Sequence, residues 1–77
     1  MSTNAELLEA FNYGTRTERS GSETGLDRIS RRYSGDLYAA ACDGYSLSAQ
    51  LIDPKPYRDA IRAGEWSLDL YETVGGN

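Results

Sequence analysis

Between Asp36 and Ile52 the chain reads DLYAAACDGYSLSAQLI, and no other stretch narrows the choice of fold as much. Asp43-Gly44 is a dipeptide suited to the positive φ angles of a two-residue type I′ turn, so the flanking runs are predicted to pair as a β-hairpin. That register sets Cys42 opposite Tyr45, Ala40 opposite Leu47, Tyr38 opposite Ala49 and Asp36 opposite Leu51 on one face, because opposed residues of a hairpin share a face. Large side chains meet small ones at the central pairs, as a packed face requires. The other face, from Leu37 and Ala39 to Ser48 and Gln50, is mostly small or polar and tolerates water.

Upstream, Thr3-Asn4-Ala5-Glu6 has the spacing of a capping box. Leu7, Leu8 and Phe11 then make one apolar stripe, which predicts a helix over residues 4–13 with Gly14 as its stop. Residues 15–25, TRTERSGSETG, hold no aliphatic or aromatic side chain and read as a flexible polar loop. Leu26, Ile29 and Tyr33 recur at helical spacing between a possible cap at Thr24 and a stop at Gly35, giving a second short helix.

Downstream of the hairpin, Asp53 is placed to cap a helix that starts at Pro54, buries Tyr57, Ala60 and Ile61 and stops at Gly64. Glu65 to Val74, EWSLDLYETV, alternates in the manner of a half-buried strand, and residues 75–77 read as a frayed tail. The expectation is therefore one α+β domain over residues 1–77. Its element order is α-α-β-β-α-β, with a three-stranded, mostly antiparallel sheet covered by helices on one face.

A chain of 77 residues has room for one thin core, and a deep substrate cavity would have to be cut from residues needed for stability. The chain has no histidine and a single cysteine, Cys42. It thus lacks the commonest general base, and no CxxC, His-pair or EF-hand pattern is present, so neither a metal nor another cofactor is expected. Without a base beside Cys42 or a serine no catalytic triad can be assembled, and the expected answer on enzymatic activity is no. One unpaired thiol, no signal-peptide pattern and no long apolar run point to a cytoplasmic protein that does not engage membranes.

Net charge is −4 and unevenly spread. Thr15 to Gly35 carries Arg16, Arg19, Arg28, Arg31 and Arg32 against Glu18, Glu23 and Asp27, while the remainder is strongly acidic. In this basic region Gly25-Leu26, Ile29, Arg31-Arg32-Tyr33 and Gly35, together with Asp43-Gly44, resemble the last helix-and-hairpin segment of histidine-kinase-type ATPase domains. The upstream Asn and DxGxG motifs of that family are absent here, so the resemblance carries over no nucleotide site.

Two functional readings follow. Six tyrosines and a tryptophan, with the arginines, are more amphipathic side chains than a thin core hides, and such residues concentrate at binding hot spots. The first reading is a small acidic protein-binding adaptor or inhibitor that blocks a surface of a larger partner. In size and charge the chain looks like inhibitors that phages and mobile elements direct against host defence nucleases, anti-CRISPR proteins among them. On that reading Asp59, Glu65, Asp69, Tyr71 and Glu72 form the partner-binding face, and the partner can be a nucleic-acid-processing complex whose basic groove the acids occupy. The alternative is a nucleic-acid-binding module, or an anion site, using Arg16, Arg19 and the ridge of Arg28, Arg31 and Arg32. An exposed edge on the last strand would also allow a homodimer by strand pairing.

Overall fold

A computed structural model of the chain describes residues 2–21 and 23–76, and no strand occurs among them. Four helices follow one another: α1 (Asn4–Arg19), α2 (Gly25–Arg32), α3 (Gly35–Ala49) and α4 (Lys55–Arg62). A π-helical turn, Glu72–Gly76, ends the described chain. The α+β expectation, with its three-stranded sheet, is therefore wrong.

The hairpin reading fails at Asp43-Gly44. Neither residue has the positive φ that a type I′ turn needs; both lie within α3. The buried residues of α3 are Ala40, Ala41, Gly44 and Leu47, spaced at i, i+1, i+4 and i+7 as one helical face requires. Ala39-Ala40-Ala41 favours the helix intrinsically. The similarity to an ATPase helix-and-hairpin segment falls with the hairpin.

Gly44 serves packing. A methyl group added there would sit 2.2 Å from the Phe11 carbonyl oxygen, and one added at Gly14 would sit 1.9 Å from the Ala41 carbonyl oxygen. Each helix thus places a glycine against the other's backbone, and Ala10, Ala40 and Ala41, all fully buried, extend the close contact. Gly14 consequently does not stop α1. The capping box at Thr3 and Glu6 forms as expected, but the helix runs on through Thr15 and Thr17, both buried, to Arg19. Half of the expected polar loop is helix; of that loop, Ser22 lies outside the described residues.

Helix directions follow from the contacts. Ser2 donates to Asp36 at one end of the α1–α3 pair and Ser48 donates to Glu18 at the other, so these two helices run the same way. α2 returns alongside them, with Gly25 against Thr17 and Tyr45 and Arg32 near Glu9. α4 also runs against α1, since Arg58 bonds Asn12 while Gly64 lies near Asn4. The arrangement is up-down-up-down, and the α1–α3 contact is by far the most extensive.

Tyr57 anchors α4. Fully buried, it stacks on Phe11 with ring centroids 4.4 Å apart. Its hydroxyl donates to Asp43 Oδ2 at 2.5 Å and accepts from Trp66 Nε1 at 2.9 Å. α4 starts one residue later than expected, at Lys55 with Pro54 as its N-cap and Asp53 Oδ1 accepting from the Lys55 N–H; Tyr57 and Ile61 are buried, Ala60 only half so, and Gly64 takes φ +78° after the last turn.

The last segment is not a strand because no sheet exists to accept its backbone hydrogen bonds. It closes on itself instead, through Leu70 N–H to Ser67 O and Thr73 N–H to Asp69 O. Trp66 and Leu70 pack inward, but Leu68, which the alternation of a strand would set on the same face as both, is 73% exposed. A dimer built by pairing that strand has no basis in this fold. Of the expected frayed tail, Gly75 and Gly76 belong to the π turn and Asn77 lies outside the described residues. No helix among the described residues is long and apolar enough to cross a membrane.

Candidate functional site

The site grows out of the way α3 ends. Ile52 N–H bonds Leu47 O at 3.0 Å and Leu51 N–H bonds Ser48 O at 3.1 Å, the paired bonds of a Schellman motif. That motif requires a left-handed residue immediately after the cap, and here the residue is Leu51, at φ +59°. At the end of α4 the same paired bonds place a glycine, Gly64, in this position. Gly21, at φ +71°, follows the end of α1. Among the described residues Leu51 is the one non-glycine with positive φ, a conformation that a bulky side chain adopts at a cost of about 1–2 kcal/mol.

Burial does not offset that cost. Leu51 is 92% exposed, so its side chain gains almost nothing from the core; the apolar contact of the motif is made instead by Ile52, which packs on the core cluster that holds Leu47.

Beside Leu51 lies an open groove of about 390 Å³. Its walls come from the C-terminal ends of α1 and α3, which the parallel pairing brings to the same pole. Thr15 and Ser48 line it, Ile52 supplies apolar surface, and Glu18, Arg19 and Asp53 supply charge. Glu18 is held in place by the Ser48 hydroxyl at 2.7 Å.

Comparison with protein-family models, with curated proteins and with solved structures finds no match for this chain.

The residues expected to bind a partner lie on α4 and on the segment that follows it. Asp59 sits on α4 between Lys55, at 2.8 Å, and Arg62, at 3.4 Å. The Lys55 ammonium holds its carboxyl below the usual aspartate range. Glu65, Asp69 and Glu72 are exposed beyond α4, and Tyr71 is half-buried, its hydroxyl accepting from the Gln50 amide. The strand that would have aligned these groups on one face is absent.

The basic residues lie on α1 and α2. Arg16 and Arg19 occupy the last turns of α1, where positive charge complements the helix dipole. On α2, Arg31 pairs with Asp27 at 3.0 Å, and Arg28 is exposed. Arg32 is the most engaged: its guanidinium lies 4.9 Å from the Tyr13 ring centroid and 5.5 Å from that of Tyr33, and its Nε donates to the Tyr33 hydroxyl. That hydrogen bond, foremost, raises its already high pKa. Arg32 therefore ties α2 to α1 rather than standing free on a ridge.

Sequence reasoning missed Leu51 because the hairpin reading paired it with Asp36 on a packed face. The signal that could have found it is the absence of glycine where a helix ending at Ala49 must turn.

Proposed function

We propose that this protein works by docking onto a larger protein through the groove at the ends of α1 and α3, with Leu51 as the apolar anchor. The observation that carries the reading is Leu51 itself, a large apolar side chain that is both in left-handed backbone and 92% exposed. Folding alone favours glycine there, so a leucine is best accounted for by a contact made outside the folded monomer. Burying one exposed leucine supplies roughly 1.5–3 kcal/mol to an interface.

The remaining surface fits an adaptor or inhibitor that occupies a partner's surface. Glu65, Asp69 and Glu72 are exposed and add negative surface charge, which favours association with a basic target. The test is affinity capture from the source cells with wild-type protein and Leu51→Gly side by side. A partner retained by the wild type and lost by the variant, with the variant at least as stable, supports the reading; identical retained proteins overturn it.

A further inference from the structure

We infer that the segment received by the groove carries a lysine or arginine next to a large apolar side chain. The inference rests on the docking reading above and adds the chemistry of the occupant. Two features set the sign of the charge. First, the groove walls hold two carboxylates, Glu18 and Asp53, against one guanidinium, Arg19. Secondly, α3 ends there without a basic residue in its last turn, whereas α1 has Arg16 and Arg19 and α4 has Arg62 in theirs. The carbonyl end of α3, capped by backbone N–H groups alone, therefore has no cation from its own last turn to balance its partial negative charge, which favours a cation within a turn of the terminus.

Both carboxylates are held by contacts that leave acceptor capacity. The Ser48 hydroxyl bonds Oε1 of Glu18 and the Lys55 N–H bonds Oδ1 of Asp53, and an ionised carboxylate accepts several hydrogen bonds over two oxygens. A cationic side chain entering the groove finds both carboxylates in its walls, and Leu51 and Ile52 offer apolar surface to its neighbour. An acidic segment, or a nucleic-acid backbone, meets repulsion at the same place.

The experiment selects binders from a random peptide library displayed on phage, using the immobilised full chain. Affinities of the winning peptides are then measured by fluorescence anisotropy for wild type, Leu51→Gly and the double variant Glu18→Gln/Asp53→Asn. The amide replacements keep one acceptor oxygen for Ser48 and Lys55, remove the charge and turn the other oxygen into an N–H donor. Winners are expected to place Lys or Arg within two residues of Leu, Ile, Phe or Trp. Leu51→Gly should weaken them roughly tenfold or more, and the double variant roughly three- to tenfold, less so at high salt. Winners that need Leu51 but carry no basic residue, or bind the double variant equally well, overturn the cation inference and leave the docking reading standing. Winners indifferent to Leu51→Gly, or no winners at all, overturn both.

Discussion

Replacing Gly14 by alanine tests the contact on which the fold is built. In an exposed helix this change stabilises by about 1 kcal/mol, because alanine is the better helix former. Here the new methyl would lie 1.9 Å from the Ala41 carbonyl oxygen, 2.9 Å from the Ala41 carbonyl carbon and 3.0 Å from the Tyr45 nitrogen. All three are backbone atoms of α3, so no side chain can swing aside. Restoring ordinary contact near 3.4 Å moves the helices apart by about 1.5 Å. Gaps of even 0.5–1 Å forfeit a quarter to a half of the dispersion attraction at each contact, and Phe11 and Ala41 both lie in the opened seam.

The expected loss is at least about 2–3 kcal/mol, from a total that for 77 residues is only about 4–12 kcal/mol. Urea unfolding followed by far-ultraviolet circular dichroism reads this directly. With a slope of about 1 kcal/mol per molar for a chain of this size, the midpoint should fall by about 2 M or more. Gly14→Ala combined with Gly44→Ala should cost less than the sum of the two, since parting the helices for one methyl admits the other. A midpoint that rises, as for an exposed glycine, would refute the close α1–α3 packing.

Further expectations concern the polar contacts. Removing the Asp43 carboxylate with Asp43→Ala leaves the buried Tyr57 hydroxyl without its acceptor and should cost about 1–3 kcal/mol, whereas Asp43→Asn keeps an acceptor and should be far milder. Burial pushes the Asp43 carboxyl above the usual aspartate range, with the Tyr57 hydrogen bond opposing. A raised folded-state value means that the native protein holds this proton longer than the unfolded chain, so its contribution is full below the ordinary value and is lost as pH rises through the raised one. Thermal midpoints of wild type relative to Asp43→Asn should therefore decline across that acidic window; a constant difference would show that Asp43 is not desolvated. On α2, Arg32→Ala should lower the thermal midpoint more than Arg31→Ala, because Arg32 bridges two tyrosines while Arg31 pairs only within its own helix; equal effects would contradict the bridging role.

The parts of the fold legible in the sequence were those with local chemical signatures. The capping box at Thr3 and Glu6, the apolar stripes of Leu7 and Phe11 and of Tyr57 and Ile61, and the glycine after α4 all act within a few residues of themselves. Asp43-Gly44 was misread because glycine has two uses, positive φ and absence of a side chain, and only the second applies at Gly44. From Asp36 to Leu51 no valine, isoleucine or threonine occurs, an absence that argues against strands and that the turn signal outweighed. The alternation of Glu65 to Val74 signals a strand only where a hairpin offers an edge for it to join, and here there is none. The acidic candidates are legible as charge but not as a site, since their grouping depends on that sheet; the helix bearing Arg28, Arg31 and Arg32 is legible, but the contact of Arg32 with Tyr13 on α1 is not. Leu51 was invisible for the opposite reason: its oddity is a backbone angle, and that angle exists only where α3 ends.

The most direct measurement of the central claim, that Leu51 is kept exposed against the preference of the fold, is the unfolding free energy of Leu51→Gly. Releasing left-handed strain of about 1–2 kcal/mol, less the roughly 0.5–1 kcal/mol of extra chain freedom that glycine gives the unfolded state, leaves a gain of about 0.5–1 kcal/mol. Little burial is forfeited, because the side chain is 92% exposed. Leu51→Ala, which keeps the strain, should be nearly neutral. A stabilised glycine variant beside a neutral alanine variant is the predicted result; a glycine variant destabilised by about 1 kcal/mol or more would mean that Leu51 serves the fold itself, and the docking account would lose its foundation.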